Sequence, residues 1–220
     1  MSQVKNTIKG FLECHTFLGT LARRRRSKRF EKTYLDWKRS GAELPMPHFG
    51  KQQTVAEYAA RFAPPVLIET GTYTGHMVYA MLDTFETVYS IELDDRLVRK
   101  AKEKFAPYRH VHIIQGESSN VLPGILQNTH QPCLFWLDAH YSGGATAKGA
   151  LETPIMQELA VVFDHEAIDD HVLLIDDARC FDGTHDYPEL SALKEFVLQK
   201  QPDWLFEVKD DIIRIHAPRG

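Results

Sequence analysis

From about residue 51 onward, short apolar runs alternate with stretches in which apolar residues recur at helical spacing. Five of these runs are typical of strands: Val66–Ile68, Thr87–Ile91, Val111–Gln115, Cys133–Leu137 and Val172–Ile175. The fourth run is almost unbroken in apolar character, as expected of a parallel strand that is covered on both faces. The alternation therefore predicts repeated strand–helix units and a mostly parallel sheet.

The C-terminal part of the chain departs from this alternation. Two further strand-like runs, Trp204–Val208 and Ile212–Ile215, are separated only by Lys209, Asp210 and Asp211. This separation is too short for a crossover helix but suits a hairpin turn. We therefore predict an α/β fold whose parallel sheet ends in an antiparallel strand.

The first 50 residues have a different pattern. Apolar residues recur there near helical spacing: Ile8, Phe11, Leu12, Leu18 and Leu21. The basic run Arg23–Arg29 follows, and Ser40–His48 has the glycine and proline content of a linker. We predict a basic, amphipathic helical segment and linker over residues 1–50, and one α/β domain over residues 51–220.

Two interpretations of this N-terminal segment remain open. We favour a helix that packs on the domain or on a second subunit, as in a homo-oligomer. The alternative is an amphipathic anchor in peripheral contact with an anionic membrane or another polyanion. The apolar stretch contains Glu13 and His15 and is shorter than the roughly 20 apolar residues of a membrane span, and it does not fit a signal peptide.

Composition narrows the function further. The 220 residues, 43% hydrophobic and 25% charged, fit one domain with a full core. The net charge of −4 disfavours nucleic acid as a partner. Cys14, Cys133 and Cys180 lie far apart, without the spacing of a zinc site or a redox pair. Reduced thiols in a soluble, cytoplasmic protein are the expectation.

The first strand ends in an acid followed by a glycine-rich turn, Glu69-Thr70-Gly71-Thr72-Tyr73-Thr74-Gly75, after which a helical pattern begins. Gly71 allows a positive φ or a close backbone approach, and Gly75 allows the helix to pack close to the strand and a ligand. The start of the helix offers unpaired N–H groups. The turn therefore predicts a ligand site, although two glycines also occur in strand–helix turns that bind nothing.

Polar residues also follow the other predicted strands, at the edge of the sheet where ligands of open α/β folds bind. They are Glu92, Gly116-Glu117-Ser118, Asp138-Ala139-His140 and Asp176-Asp177. Glu92 lies some 20 residues beyond the turn, an offset at which an acid accepts both hydroxyls of a ribose. The turn lacks the third glycine of a nicotinamide-binding motif, and Glu69 would repel a pyrophosphate but suit a cationic or amino-bearing ligand.

These motifs resemble those of the class I S-adenosylmethionine-dependent methyltransferases. The family's strand-end acid and glycine-rich turn match Glu69 to Gly75, its ribose-binding acid matches Glu92, and its adenine-side segment matches Gly116 to Ser118. The resemblance implies a Rossmann-like sheet with a reversed terminal strand and S-adenosylmethionine as cofactor. It implies cofactor contacts from Glu69, Gly71, Thr72, Tyr73, Gly75, Glu92, Gly116, Glu117, Ser118 and Asp138.

Asp138, Asp176 and Asp177 form a second set of candidate residues. Three acids at neighbouring strand ends would repel one another unless a cation joins them, and ligands that are all oxygen select Mg²⁺, with Mn²⁺ or Ca²⁺ as alternatives. The pattern is similar to that of metal-dependent small-molecule O-methyltransferases of the catechol type and of the macrocin and novobiocin tailoring type. The alternative is that Asp177 caps a helix and Asp138 lines the cofactor cleft.

His140 is the candidate catalytic base. In an extended segment its side chain points to the same side as that of Asp138, and an imidazole titrates near neutral pH. The antibiotic-tailoring enzymes carry a carboxylate at the matching position, so a substrate-contact role for His140 stays open. The polar loop Tyr141–Gly149 is interpreted as a lid or an acceptor-binding loop.

Together these features predict an O-methyltransferase that acts on a hydroxylated small molecule, such as a sugar or a secondary metabolite, with the help of a divalent cation. One alternative is a nucleotide-dependent oxidoreductase, which the missing third glycine and Glu69 disfavour. Another is a non-catalytic cofactor-binding adaptor attached to a membrane or polyanion through the basic run.

Overall fold

A computed structural model of the chain describes residues 17–138 and 152–218, with side chains from residue 28 onward in the first helix. The strands are β1 (Val66–Thr70), β2 (Thr87–Glu92), β3 (Val111–Gln115), β4 (Cys133–Leu137), β5 (Val172–Ile175), β6 (Leu205–Lys209) and β7 (Ile212–His216). The α-helices are α1 (Phe17–Arg39), α2 (His48–Phe62), α3 (His76–Ala80), α4 (Asp95–Phe105), α5 (Ser118–Leu126), α6 (Ile155–Phe163) and α7 (Leu190–Lys200). Two short 3-10 helices cover Ile168–Asp170 and Ala178–Cys180.

The strands form one sheet in the order β3-β2-β1-β4-β5-β7-β6. The first five strands pair in parallel, and β7 runs antiparallel to both β5 and β6. The predicted α/β fold, with its C-terminal hairpin and reversed strand, is therefore confirmed. The strand order reverses next to β1, which is the place where ligands of open α/β sheets bind.

Strand register places the predicted site residues at one edge of the sheet. Thr70 pairs with Ile91 on one side and with Leu137 on the other, and Leu137 pairs with Ile175. The C-terminal ends of β1, β2, β4 and β5 are therefore level. The residues that follow these strands meet at one edge because parallel strands all end there.

Apolar residues cover both faces of the sheet, as the uninterrupted pattern of β4 predicted. Phe135 belongs to the core on one face, with helices α5, α6 and α7, whereas Leu134 and Trp136 belong to the core on the other face, with α2 and α4. All five residues of β4 are buried. Its side chains alternate between the faces, so both cores hold this strand in place.

The structure places the start of α2 earlier than the domain boundary predicted at residue 51. The helix begins at His48, and Met46 before it is only 4% exposed within the core. A Cβ at Gly50 would lie 2.5 Å from the sulfur of Met46, so a larger residue there would displace the Met46 side chain. Because Gly50 follows a linker rich in glycine and proline, the sequence pattern did not show that the helix begins at His48.

The C-terminal half of α1 packs against the same core through Tyr34 and Trp37. The basic run predicted to be an anchor or interface lies in the N-terminal half of α1, and Arg23 to Ser27 lie outside the residues whose side chains are described. Within the described part of the chain, no helix has both the length and the apolar character to cross a membrane.

Candidate cofactor and acceptor site

The turn after β1 needs glycine at two positions. Gly71 has a φ of 88°, and Gly75 has a φ of 65°. A Cβ at Gly75 would also lie 2.6 Å from the ring of Phe105, which packs from α4. The backbone N–H groups of Gly71 and Thr72 donate to the carbonyl of Ile91 at 2.9 and 3.1 Å, so the turn is fastened to the end of β2.

Glu92 joins this turn to the start of α4. One of its carboxylate oxygens accepts a hydrogen bond from the Tyr73 N–H at 2.7 Å, and the other accepts one from the Asp94 N–H at 2.9 Å. Asp94 in turn caps α4 by accepting from the N–H groups of Arg96 and Leu97. A carboxylate has about four acceptor positions, so Glu92 keeps capacity for the two hydroxyls of a ribose.

Glu69 is only 2% exposed, and the Ser90 hydroxyl donates a hydrogen bond to its carboxyl group. Burial raises the pKa of Glu69 to about 8, against the lowering effect of Ser90, and Asp138 and Glu92 raise it further. The neutral acid therefore predominates at pH 7, where the sequence had suggested a charge. A cationic ligand near this group would favour its ionised form.

The segment after β3 places the buried Ser118 side chain near the buried Glu158 of α6. Gly116 has a φ of 148°, and a Cβ there would lie 2.7 Å from the Val121 side chain. Next to Glu117 at the start of α5, Ser118 is buried. Neither the Ser118 hydroxyl nor Oε1 of Glu158 has a hydrogen bond of good geometry among the described residues, although the hydroxyl lies close enough to Glu158 to lower the pKa of that acid. Such atoms suit a ligand that both donates and accepts hydrogen bonds, as a purine does.

The three predicted aspartates come together at the ends of β4 and β5. Asp138, Asp176 and Asp177 each place one carboxylate oxygen within 4.8 Å of the others. Burial raises the pKa of Asp176 well above its usual range, and the negative charge of Asp138 adds to this effect. We call these three residues the aspartate cluster. Its oxygen atoms match the ligands that Mg²⁺, Mn²⁺ and Ca²⁺ take in proteins.

The alternative role for Asp177, capping a helix, fits its backbone but not its side chain. The residue occupies the N-cap position of the 3-10 helix Ala178–Cys180, but its carboxylate makes no capping hydrogen bond. That carboxylate instead lies 2.8 Å from Nη1 of Arg179 and 3.4 Å from Nζ of Lys51. The Asp177 carboxylate is therefore bound by cations and not by the helix end.

Two cations that the sequence analysis missed lie beside the aspartate cluster. The Lys51 ammonium, from the first turn of α2, donates to Asp176, and Arg179 also binds Asp211 in the turn between β6 and β7. Arg179 could have been suspected because it follows Asp177 by two residues. Lys51 gives no such local signal, because 125 residues separate it from Asp176.

A narrow cleft, open to solvent, lies next to the aspartate cluster. It is lined by Leu137, Asp138, Thr153, Ile155, Glu158, Ile175, Asp176, Phe181 and Tyr187. Burial raises the pKa of Glu158 to about 7, although the nearby hydroxyls of Ser118 and Thr70 lower it. Sequence reasoning missed Glu158 because one acidic residue in a mostly apolar helix carries no motif.

No protein-family model and no curated protein matches this chain. Solved structures do match. The S-adenosylhomocysteine-bound methyltransferase PaMTH1 of Podospora anserina is 17% identical, with a TM-score of 0.57 over 83% of this chain and 86% of that one. An O-methyltransferase of Bacillus cereus, also in complex with S-adenosylhomocysteine, is 12% identical, with a TM-score of 0.52 over 86% and 90% of the two chains.

The chain has the class I methyltransferase fold. The fold resemblance predicted from Glu69 to Gly75 and from Glu92 is thereby confirmed, including the reversed strand β7. In this fold, the turn after β1 and the aspartate cluster share one edge of the sheet. The arrangement can hold a nucleoside at β1 to β3 and a second small molecule beside β4 and β5.

His140, the predicted base, lies outside the described residues, as does the loop Tyr141–Gly149. Its role stays a prediction. The last described residue before this segment is Asp138, whose N–H donates to the carbonyl of Thr70 at 3.1 Å. Asp138 is thereby held at the end of β4, between the turn and the aspartates of β5.

Proposed function

We propose that this chain is an S-adenosylmethionine-dependent O-methyltransferase whose acceptor is a hydroxylated small molecule, such as a sugar or a secondary metabolite. The observation that carries the proposal is the position of Glu92, which the Tyr73 N–H holds beside the glycine-rich turn at 2.7 Å. In this fold an acid at the end of β2 is placed to accept ribose hydroxyls. We assign cofactor contacts to the turn, Glu92, the Gly116–Ser118 segment and Asp138.

The surroundings of the turn favour S-adenosylmethionine over a dinucleotide. A pyrophosphate needs backbone N–H groups, and beside one the buried Glu69 would have to stay protonated, whereas a cationic ligand favours the ionised acid. The helix that follows the turn, α3, has only five residues and offers a short dipole. A sulfonium cofactor with an amino group carries the positive charge that buried acids at this edge would stabilise.

We place the acceptor in the cleft beside the aspartate cluster. Apolar side chains such as Ile155 and Phe181 can contact the body of a small molecule, and Asp138 can receive a hydrogen bond from one of its hydroxyl groups. In the reaction an acceptor oxygen forms a bond to the methyl carbon while the bond from that carbon to sulfur breaks. The sulfonium becomes a neutral thioether, and the hydroxyl proton passes to a base, for which His140 is our candidate.

The aspartate cluster fits a divalent cation, because its carboxylate oxygens lie close enough to share one. We propose that Asp138, Asp176 and Asp177 would hold the ion, with Mg²⁺ as the first choice. When bound, it would supply positive charge that acidifies the acceptor hydroxyl. The chain itself aligns the two reactants, and such positioning accounts for much of the rate of a methyl transfer.

Titration calorimetry with S-adenosylhomocysteine and, separately, with NAD⁺ tests the cofactor assignment on the full chain. We expect S-adenosylhomocysteine to bind and NAD⁺ not to bind. Transfer of a labelled methyl group from S-adenosylmethionine to a panel of sugars, phenols and amines then tests the acceptor class. Binding of NAD⁺ without binding of S-adenosylhomocysteine would refute the proposal, and methylation of amines alone would refute its O-methyl part.

A further inference from the structure

Lys51 already provides a positive charge at the aspartate cluster. Its Nζ donates to Oδ2 of Asp176 and lies 3.4 Å from Oδ1 of Asp177. The three side chains are largely withdrawn from water, since those of Lys51, Asp176 and Asp177 are 14%, 1% and 6% exposed. An ion pair so little exposed to solvent is screened much less than a surface pair.

The environment of Lys51 keeps this charge in place. Burial alone would lower the pKa of its ammonium, but Asp176, Asp138 and Asp177 together raise the pKa above its ordinary value. All three members of the aspartate cluster therefore act on one ammonium. An ammonium group has three N–H donors and no acceptor, so it can bind several carboxylate oxygens, as a metal ion does.

The helix that carries Lys51 fixes where the ammonium can reach. Lys51 lies in the first turn of α2, which packs on β4 and β5, the strands that lead into the aspartate cluster. Gly50 at the preceding position is in close contact with Met46 and Tyr34. The start of α2 is thus packed tightly, so we expect the ammonium to leave the carboxylates by rotation of the Lys51 side chain and not by movement of the helix.

We propose that Lys51 is an internal competitor for the divalent cation, whose ammonium must leave Asp176 and Asp177 before all three aspartates can bind a metal ion. The inference depends on the proposed function only for the location of the metal. An ion within bonding distance of the same carboxylates would lie a few ångströms from the ammonium, where like charges repel strongly. Lys51 therefore weakens metal binding and stabilises the cluster when no metal is present.

This competition predicts opposite effects on metal affinity and on metal-free stability. In Lys51→Met the ammonium is lost while an unbranched apolar side chain remains. Mn²⁺ should bind this variant at least about tenfold more tightly than the wild type, because repulsion from the ammonium is absent. Without metal, the variant should melt at a lower temperature, because buried carboxylates lose their partner, and Mn²⁺ should restore much of the loss.

The test is a calorimetric titration of the full chain with Mn²⁺ alone, together with thermal melts with and without Mn²⁺. Lys51→Arg keeps the charge and should bind Mn²⁺ about as weakly as the wild type. Lys102→Met, an exposed lysine of α4, is the matched control for loss of a lysine and should change neither measurement. If Lys51→Met does not fold, Lys51→Gln takes its place.

Equal or weaker Mn²⁺ binding by Lys51→Met, or no Mn²⁺ binding by any variant, would overturn the inference. Titrating the same samples with S-adenosylhomocysteine separates this result from the proposed function. A chain that binds S-adenosylhomocysteine but whose Mn²⁺ affinity is indifferent to Lys51 keeps its methyltransferase assignment and loses the competitor. If the Mn²⁺ affinity depends on Lys51 but the chain does not bind S-adenosylhomocysteine, the competitor role stands and the methyltransferase assignment is lost.

Discussion

Replacing Glu92 by glutamine removes the charge of the candidate ribose ligand while keeping its size. In the structure, the two carboxylate oxygens of Glu92 accept from the Tyr73 N–H at 2.7 Å and from the Asp94 N–H at 2.9 Å. Glutamine has only one acceptor oxygen, so its NH₂ group must face one of these N–H donors. The change therefore disturbs the end of β2 and removes a charged acceptor from the cofactor site.

The magnitude follows from the bonds that are lost. A hydrogen bond to a charged group contributes roughly 1.5–3 kcal/mol, so losing one such bond to the ribose should raise the Kd for S-adenosylhomocysteine about 10- to 150-fold. The unsatisfied N–H group should cost about 1–3 kcal/mol of unfolding free energy. Both effects are large enough to measure, and the loss of affinity should exceed what partial unfolding explains.

Calorimetry at a temperature well below the melting transition measures the Kd, and urea unfolding measures the stability. Asp95→Asn is the control. It removes the same charge from a half-exposed side chain that lies three residues after Glu92 and pairs with Arg99. It should leave the Kd within about twofold of the wild type. A folded Glu92→Gln protein that binds S-adenosylhomocysteine as well as the wild type does would refute the assignment of Glu92.

Three further predictions follow from the described residues. Asp176→Asn should weaken Mn²⁺ binding at least about tenfold but leave the calorimetric Kd for S-adenosylhomocysteine nearly unchanged, and full methyl transfer after exhaustive chelation would contradict the metal role. Deleting residues 1–27 should preserve S-adenosylhomocysteine binding. Deleting residues 1–50 removes buried Met46 and should lower the free energy of unfolding, measured with urea, by about 2–5 kcal/mol. Burial lowers the pKa of His171 to about 3. The free energy of unfolding that this neutral histidine allows should be fully present above about pH 6.5 and should fall toward pH 3, by up to about 1.4 kcal/mol per pH unit. His171→Asn should flatten that slope.

The sequence by itself determined the sheet, because strand and helix patterns arise from neighbouring residues. An apolar run such as Cys133–Leu137 forms a covered strand wherever it packs, and a connection as short as the one before Ile212 can only turn back into a hairpin. Once the strands are parallel, their ends share one edge. The approach of Asp138 to Asp176 could therefore be predicted without a structure.

The tertiary structure alone decided what surrounds these acids. Lys51 reaches Asp176 from 125 residues away, and Arg179 reaches Asp211 from 32 residues away, so no local pattern announces either pair. The raised pKa of Glu69 likewise could not be read from the sequence, because it depends on burial, which the type of residue does not give. Strand positions follow from short-range periodicity, whereas the charge of a site depends on which distant side chains the packed helices bring to it.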